Sequence, residues 1–264
     1  MINITNNTAK KRILTELILI QQNLERSFSI SVGNIIARQF RKAAILLEQA
    51  RPQDFTYAVD SERNNFIEVM RKHYRKVGNV FYNRLIADVQ KSFVLFETKD
   101  VIDEFWNQMN TYIGTEALKK VQWMDATTKN SLRLLINKGI EAGKGYNEIA
   151  KDIRKEANLQ KSWRAKRIAR TETHSASMKS LNTAAATTRM IQEKEWISAL
   201  DSRTRKSPFN HVLANGERIL MDALYQRTGE ALKYPGDSSR GSAGNIVNCR
   251  CGELYHTSYK QEVA

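Results

Sequence analysis

Two cysteines separated by one residue, Cys249 and Cys251, are the side chains of this sequence best suited to do chemistry. They are the only 2 cysteines among 264 residues. A disulfide between them would close a very small ring, far from usual disulfide geometry, so we expect two reduced thiols. If the segment is a strand, alternation places both sulfurs on one face. Two thiolates on one face can share a metal ion, and zinc is the cofactor that they suggest.

A zinc site needs about two further ligands, and the histidines and acids of the chain are the candidates. His211 or Asp201 could supply them from a preceding loop, and His174 with His256 is the other choice. We take His211, Cys249 and Cys251 as the candidate metal ligands. A single C-x-C pair lacks the doubled spacing of strong zinc motifs. The alternative, which this spacing favours, is a pair of small buried side chains without a metal.

The segment 201–216 places an acid, two arginines and a histidine in a loop between a predicted strand and a predicted turn. Cys249, His211 and Asp201 match a nucleophile, a base and an orienting acid by residue type, which keeps an enzyme in view. Arg203 and Arg205 fit equally well in an ion-pair network that holds the loop. We favour the network and expect no enzymatic activity.

Three arginines at three-residue spacing, Arg164, Arg167 and Arg170, form a basic stripe on a predicted helix. Such a stripe suits phosphate groups, and the alternative is a solvated, ion-paired helix face. The whole chain carries 42 Lys and Arg against 28 Asp and Glu, a net charge of +14. This surplus favours a polyanionic partner, and nucleic acid is the leading candidate; the alternative is a solvated basic surface that binds nothing specific.

The elements that must position these residues are helical in the first half of the chain. Apolar residues recurring every three or four positions predict two helices between residues 9 and 50, with a break at Ser31–Asn34. A long helix is predicted from near Ser61 to Val89. Separate helices follow over 99–119, 126–142 and 146–157, and a basic helix starts near Lys161. The sequence contains no apolar run of roughly 18 residues, so we expect no membrane span.

The character of the sequence changes after about Arg189. EWISAL alternates apolar and polar residues as a strand does, and Asn215-Gly216 is a hairpin signal between apolar flanks. The predicted fold class is therefore α+β. A largely helical N-terminal half with long helices precedes a small mixed domain with short antiparallel strands. We place the division at residues 1–120, a helical docking region, and 121–264.

Five segments in a fixed order give the second of these regions a resemblance to a known family. They are RIARTET, KEWISALDSRTR, His211 with Asn215-Gly216, YPGD and NCRC. In this order, over about residues 120–257, they resemble the C-terminal domain of the Mu F-like phage minor head proteins. The motif residues that carry over are Arg170, Glu172, Trp196, Asp201, Arg203, Arg205, His211, Gly216, Pro235, Gly236, Asp237, Asn248, Cys249 and Cys251.

The resemblance implies a component of the virion of a tailed double-stranded DNA phage. It would act in head morphogenesis, made in the host bacterial cytoplasm and placed in the phage head near the portal. Its implied partners are the portal protein, a scaffold or major capsid protein, and packaged double-stranded DNA. The alternative function is an enzyme or toxin domain that acts on nucleic acid or nucleotides through the Cys, His, Asp and Arg residues. Within the domain we expect Arg170 or Arg203 to pair with Glu172 or Asp201.

Overall fold

The computed structural model describes residues 1–92 and 99–257. Four long helices account for most of this structure: α1 (Asn7–Glu48), α3 (Arg63–Ser92), α4 (Lys99–Glu141) and α5 (Tyr146–Thr188). A 3₁₀ turn at Pro52–Asp54 and the short helix α2 (Phe55–Asp60) connect α1 to α3. The remaining elements are β1 (Glu193–Ile197), α6 (His211–Ala214), β2 (Arg218–Leu220), α7 (Ala243–Ile246) and β3 (Gly252–His256). The α+β class is confirmed.

Three predicted helix breaks are wrong, because α1, α4 and α5 are each continuous. At the first break, a Cβ on Gly33 would lie 2.6 Å from the carbonyl oxygen of Lys161. The glycine therefore serves close packing inside a helix rather than a turn. At the second, Asp125 does not cap a new helix; its carboxylate accepts hydrogen bonds from Gln39 and Arg63, each at 2.9 Å. The third predicted break, between residues 157 and 161, also lies inside a helix.

The end of α4 follows the prediction. Gly143 has φ +69°, a left-handed conformation that glycine adopts without strain, and its N–H donates to the Ile140 carbonyl at 2.9 Å. Likewise α1 ends at Glu48, shortly before Pro52, as the proline predicted.

The three strands form one antiparallel sheet in the order β2-β1-β3. Glu193 of β1 lies opposite Leu220 of β2 and opposite His256 of β3. The central strand β1 was predicted. The prediction of a hairpin strand before Asn215-Gly216 is wrong, because those residues form α6. The Asn210 side chain caps the first turn of α6 by accepting from the Leu213 N–H at 2.8 Å.

The chain forms two compact units, each built from several segments. The first unit contains residues 1–24, 74–110 and 170–264, and the second contains residues 25–73 and 111–169. The predicted division at residue 120 falls inside α4. The first unit holds the sheet, and its buried side chains include Leu17, Tyr74, Phe81, Phe105, Met178 and Trp196. The second unit is helical, with buried Phe28, Ile35, Phe40, Phe66, Val121 and Ile153.

In the first unit, nearly every side chain of α5 from Thr171 to Ala185 is buried. Most of these side chains are small rather than large and apolar. Because alanine, serine and threonine are small, neighbouring elements can approach this helix closely. A helix that is buried on all sides has no solvent-facing stripe, so this one shows little amphipathic pattern. None of the helices in the described ranges is long and apolar enough to cross a membrane.

Candidate metal centre and its supporting contacts

His211, Cys249 and Cys251 meet in the interior of the first unit. One ligand atom from each lies within 4.8 Å of the others, and all three side chains are buried. The His211 Nδ1 atom is 3.3 Å from the Cys251 sulfur and 3.7 Å from the Cys249 sulfur. We call this group the cysteine–histidine cluster. Both cysteines are free, as the sequence predicted.

The backbone route to this cluster differs from the prediction. Residues 248–251 form no strand; Asn248 has φ +58°, and β3 begins only at Gly252. The two sulfurs converge because an irregular turn, rather than strand alternation, directs them inward. His211 is the first residue of α6, and the backbone N–H of His211 donates to the Arg205 carbonyl at 3.1 Å.

The side chain of Asn245 determines which nitrogen of His211 carries a proton. Its amide nitrogen donates to the Glu230 carboxylate at 3.0 Å, and a carboxylate can only accept, so the amide oxygen Oδ1 must face the other way. That oxygen lies 2.6 Å from His211 Nε2. Nε2 therefore carries the hydrogen, which leaves the Nδ1 lone pair directed at the two sulfurs.

Trp196 and Ser198 pack the other side of the cluster. The indole N–H of Trp196 donates to the Ser198 hydroxyl at 3.0 Å, and that hydroxyl donates to the His211 carbonyl at 2.5 Å. The Cys251 sulfur is 3.6 Å from the same hydroxyl oxygen. The Trp196 ring meets the imidazole edge-on, with centroids 5.5 Å apart. These contacts fix the histidine by its backbone, its ring face and its Nε2 atom.

Two arginine contacts join the loop after β1 to the segment that carries the cysteines. Arg250 binds both carboxylate oxygens of Asp201, at 2.6 and 2.5 Å, and Arg205 donates to the Val247 carbonyl. The Arg250 hydrogen bonds hold the pKa of Asp201 far below its usual range. Arg203 reaches Asp201 only at 3.9 Å, so the expected ion pair forms but is secondary to Arg250.

The two thiols of the cluster differ in acidity. A hydrogen bond with Cys251 lowers the pKa of Cys249, and the nearby charge of Arg205 acts in the same direction. Burial raises the pKa of Cys251 well above its usual value.

The other candidate ligands do not join the cluster. Asp201 is held by Arg250, and His256 Nε2 lies 3.0 Å from the Glu195 carboxylate. His174 Nδ1 lies 3.4 Å from the Gln21 amide nitrogen. Among the described residues, His211, Cys249 and Cys251 are the only group of three or more His, Cys, Asp or Glu that could hold one ion.

Several motif residues shape turns rather than present chemistry. Gly216 has φ +81°, and its N–H donates to the Trp196 carbonyl at 2.8 Å. Gly236, after buried Pro235, has φ +77°, and a Cβ there would lie 2.7 Å from the His174 ring. Asp237 accepts from the Lys233 and Ser239 N–H groups at 3.0 and 3.1 Å. These residues order the turns around the sheet.

The start of the first unit's part of α5 carries Arg170 and Glu172. The Glu172 carboxylate accepts from the Tyr74 hydroxyl at 2.6 Å, and Arg170 is partly exposed. On the same helix the Thr171 hydroxyl oxygen accepts from the Asn248 N–H at 3.2 Å. The motif RIARTET thus contacts the turn that precedes Cys249.

The arginine stripe divides by burial. Arg164 is 3 % exposed and donates to the Thr128 hydroxyl at 3.0 Å and to the Met124 carbonyl at 2.8 Å. Burial lowers its pKa to about 10. Three-residue steps rotate each side chain by about 60° around a helix, so Arg164 and Arg167 point in different directions. Arg167 is exposed, with its guanidinium 4.8 Å from the centre of the Trp163 ring.

Sequence reasoning missed three residues that support the cluster: Ser198, Asn245 and Arg250. Arg250 lies between the two cysteines and was a visible candidate for Asp201. Asn245 is 34 residues from His211, and no local pattern links the two. A fourth polar residue, Glu253, was also missed; it is fully buried in β3, accepts from the Tyr255 hydroxyl at 3.0 Å, and burial raises its pKa to about 7.

Comparison with known proteins shows what this part of the chain resembles. A family model described as Phage Mu protein F like protein matches residues 130–253. That stretch contains β1, β2 and all three members of the cysteine–histidine cluster. Through this segment the chain is similar to the Mu F-like phage minor head proteins.

The comparison with curated proteins also found one particular similar protein. The chain is 32 % identical over 129 residues to the minor head protein GP7 of Bacillus phage SPP1. The aligned part is 48 % of this chain and 40 % of that relative, so the chain spans less than half of the relative's length. No solved structure matches the chain.

Proposed function

We propose that this chain is a minor head protein of a tailed double-stranded DNA phage and is a component of the virion. The observation that carries the proposal is the family match over residues 130–253, which coincides with the ordered motif set. The similar region of the Bacillus phage SPP1 relative belongs to a protein named as a minor head protein. Most motif residues hold turns and loops in place, which suits a structural role.

The proposal includes docking at the portal vertex through the second unit. Large exposed apolar side chains are concentrated there, and exposed apolar groups beyond the ordinary scatter mark protein interaction sites. In the second unit these side chains are Ile30, Ile45, Tyr57, Leu118, Trp123, Leu134, Ile140, Tyr146, Leu159 and Trp163. The portal protein is the proposed occupant. Segment 25–73 of this unit lies in the predicted docking region, residues 1–120.

Exposed apolar residues in the second unit provide a test of docking that spares the fold. Ile30→Ser and Leu134→Ser change side chains that are 63 % and 61 % exposed. If the portal contacts these residues, copies per particle fall about ten-fold, the loss expected of one interface hot spot. Leu19→Ser, at 54 % exposure in the first unit, is the matched control and keeps parental incorporation. Equal incorporation of all three variants contradicts docking through the second unit.

The proposal also includes non-specific contact with packaged DNA. The second unit contains 21 Lys and Arg against 12 Asp and Glu. Its part of the net positive charge of the chain is therefore larger than its part of the residues. On α5, five exposed side chains, spread over roughly half of the helix circumference, form a broad face that combines cations with an aromatic ring that can stack on bases. They are Lys151, Lys155, Trp163, Lys166 and Arg167. Arg164 is not part of this face, because it is buried.

Salt dependence measures this contact. The triple variant Lys155→Gln, Lys166→Gln, Arg167→Gln removes three cations, and the slope of log K against log salt should fall by about 2 to 3. A control with Lys11, Arg12 and Lys76 changed to Gln alters the net charge equally at exposed positions of the first unit. The same fall in both variants would show that net charge, and not the α5 face, governs binding.

Quantitative mass spectrometry of purified, DNA-filled particles tests the proposal as a whole. A few copies per particle, in fixed ratio to the portal protein, is the expected result. Presence in precursors alone would make the chain an assembly factor and contradict a virion component. Fixed association with the major capsid protein instead of the portal would contradict the vertex assignment.

An enzyme that uses the cysteine–histidine cluster is the competing function. Asn245, rather than Asp201, occupies the orienting position beside His211, and both sulfurs are almost fully buried, at 2 % and 4 % exposure. A nucleophile needs an approach for its substrate, so this burial favours the structural role. If Cys249→Ser leaves folding intact but abolishes infectivity of normally assembled particles, the structural role is contradicted.

A further inference from the structure

We propose that the cysteine–histidine cluster is a structural zinc site, with Cys249, Cys251 and His211 as its protein ligands. The inference stands on the atoms of the cluster and is independent of the proposed function. It assigns a Zn²⁺ ion to the interior of the first unit, where it would join the loop before α6 to the turn before β3.

The distances between the donor atoms are those of ligands around one zinc ion. Zinc binds thiolate at about 2.3 Å and imidazole at about 2.0 to 2.1 Å in tetrahedral geometry, which places sulfur and nitrogen about 3.5 Å apart. His211 Nδ1 lies 3.3 and 3.7 Å from the two sulfurs. Both nitrogen–sulfur distances are therefore within about 0.2 Å of the tetrahedral value.

The protonation of His211 also fits a ligand. Glu230 fixes the Asn245 amide, the amide oxygen takes the Nε2 hydrogen, and the lone pair of Nδ1 faces the sulfurs. This is the arrangement in which a second residue orients a metal-binding imidazole and sets its tautomer. Two buried thiols without a metal would not require these hydrogen bonds from Glu230 through Asn245 to His211.

The chemistry of the donor set selects zinc. Two thiolates and one imidazole form a borderline-soft site, which binds zinc well and calcium or magnesium poorly. Two thiolates would be costly to bury alone, and the ion compensates their charge. No further His, Cys, Asp or Glu among residues 1–92 and 99–257 joins the group.

Metal content of the full chain, purified without chelator, is the first measurement. One zinc per chain is expected by elemental mass spectrometry. Replacing zinc with Co²⁺ should give the intense visible absorption of a tetrahedral complex and a thiolate-to-metal charge-transfer band, which identify sulfur ligands without any variant. A folded chain that binds neither zinc nor Co²⁺ overturns the proposal.

Variants then locate the ion. Cys249→Ser, Cys251→Ser and His211→Ala should each lower zinc affinity at least ten-fold. Asn245→Ala removes the Nε2 acceptor but no metal ligand, so it should lower affinity by about ten-fold while the charge-transfer band remains. His73→Gln is the control; this buried histidine stacks on Phe28 in the second unit, 3.7 Å between ring centres, and its loss should leave zinc content unchanged. Full zinc content in both cysteine variants would place the ion elsewhere. Should the ligand variants fail to fold, the Co²⁺ spectrum of the parent chain decides.

Discussion

Glu253 provides a test of the energetics of the sheet. Its side chain is fully buried on β3, and burial raises its pKa to about 7, against the opposing charge of Lys194 on β1 and the Tyr255 hydrogen bond. In the unfolded chain the pKa returns to its ordinary 4.5. The folded state therefore binds the Glu253 proton more tightly than the unfolded state, and the free energy of unfolding falls as the pH rises from 4.5 to 7.

The size of this effect follows from the pKa difference. A shift from 4.5 to about 7 is 2.5 units at 1.36 kcal/mol each, so Glu253 should cost about 3 kcal/mol of stability above pH 7 relative to pH 4. Glu253→Gln cannot ionise, and its amide oxygen can still accept from Tyr255. Relative to the parent, the variant should gain about 3 kcal/mol between pH 4 and pH 8.

Urea denaturation at pH 4, 5, 6, 7 and 8, in parent and variant, measures the difference directly. Glu68→Gln removes one negative charge from a position 56 % exposed, and should change the parent's profile by less than about 0.5 kcal/mol. A stability difference between Glu253→Gln and the parent that stays constant within about 0.5 kcal/mol over this range would refute the reasoning.

Two further predictions concern the helices of the second unit. Gly33→Ala should destabilise the chain by about 1 to 3 kcal/mol, because its Cβ would meet the Lys161 carbonyl at 2.6 Å. Gly114→Ala, with open space around its Cβ, should instead stabilise by about 0.5 to 1 kcal/mol, and loss of stability in both variants contradicts the packing argument. Arg164→Ala should cost about 2 to 4 kcal/mol through lost packing and lost hydrogen bonds to the Thr128 hydroxyl and the Met124 carbonyl, whereas Arg167→Ala stays within about 0.5 kcal/mol. Thermal unfolding measures all four, and equal losses at the two arginines would contradict the burial of Arg164.

Local sequence pattern predicted helices well but not where they stay continuous. The apolar periodicity of α3 extends over one helix, and that prediction is confirmed. Gly33 and Asp125 were interpreted as parts of boundaries because their local propensities favour turns and caps. Their actual roles depend on Lys161, Gln39 and Arg63, residues 62 to 128 positions away, which no local pattern reveals.

The cluster shows the same limit in reverse. Residue type alone predicted that His211, Cys249 and Cys251 lie close together, and they do. The segment that carries the cysteines was expected to be a strand but forms an irregular turn. Residue type suggested Asp201 as the orienting group, whereas Asn245 holds that position. Carboxylates near a histidine attract attention in a sequence, while an asparagine gives no comparable signal. The polar partners of a buried histidine therefore required the three-dimensional structure.

The discontinuous first unit has a consequence for biosynthesis. Its β1 strand pairs with β3 at the end of the described chain, and Lys10 near the start binds Glu195 on β1 at 2.5 Å. Ile2 forms a bridge with Tyr255. The contacts of Lys10 and Ile2 join residues that leave the ribosome more than 180 positions apart, and such distant pairings slow folding. The first segment can therefore complete its pairing only after residues 252–256 have been translated, so the folding of this unit waits for β3 to leave the ribosome.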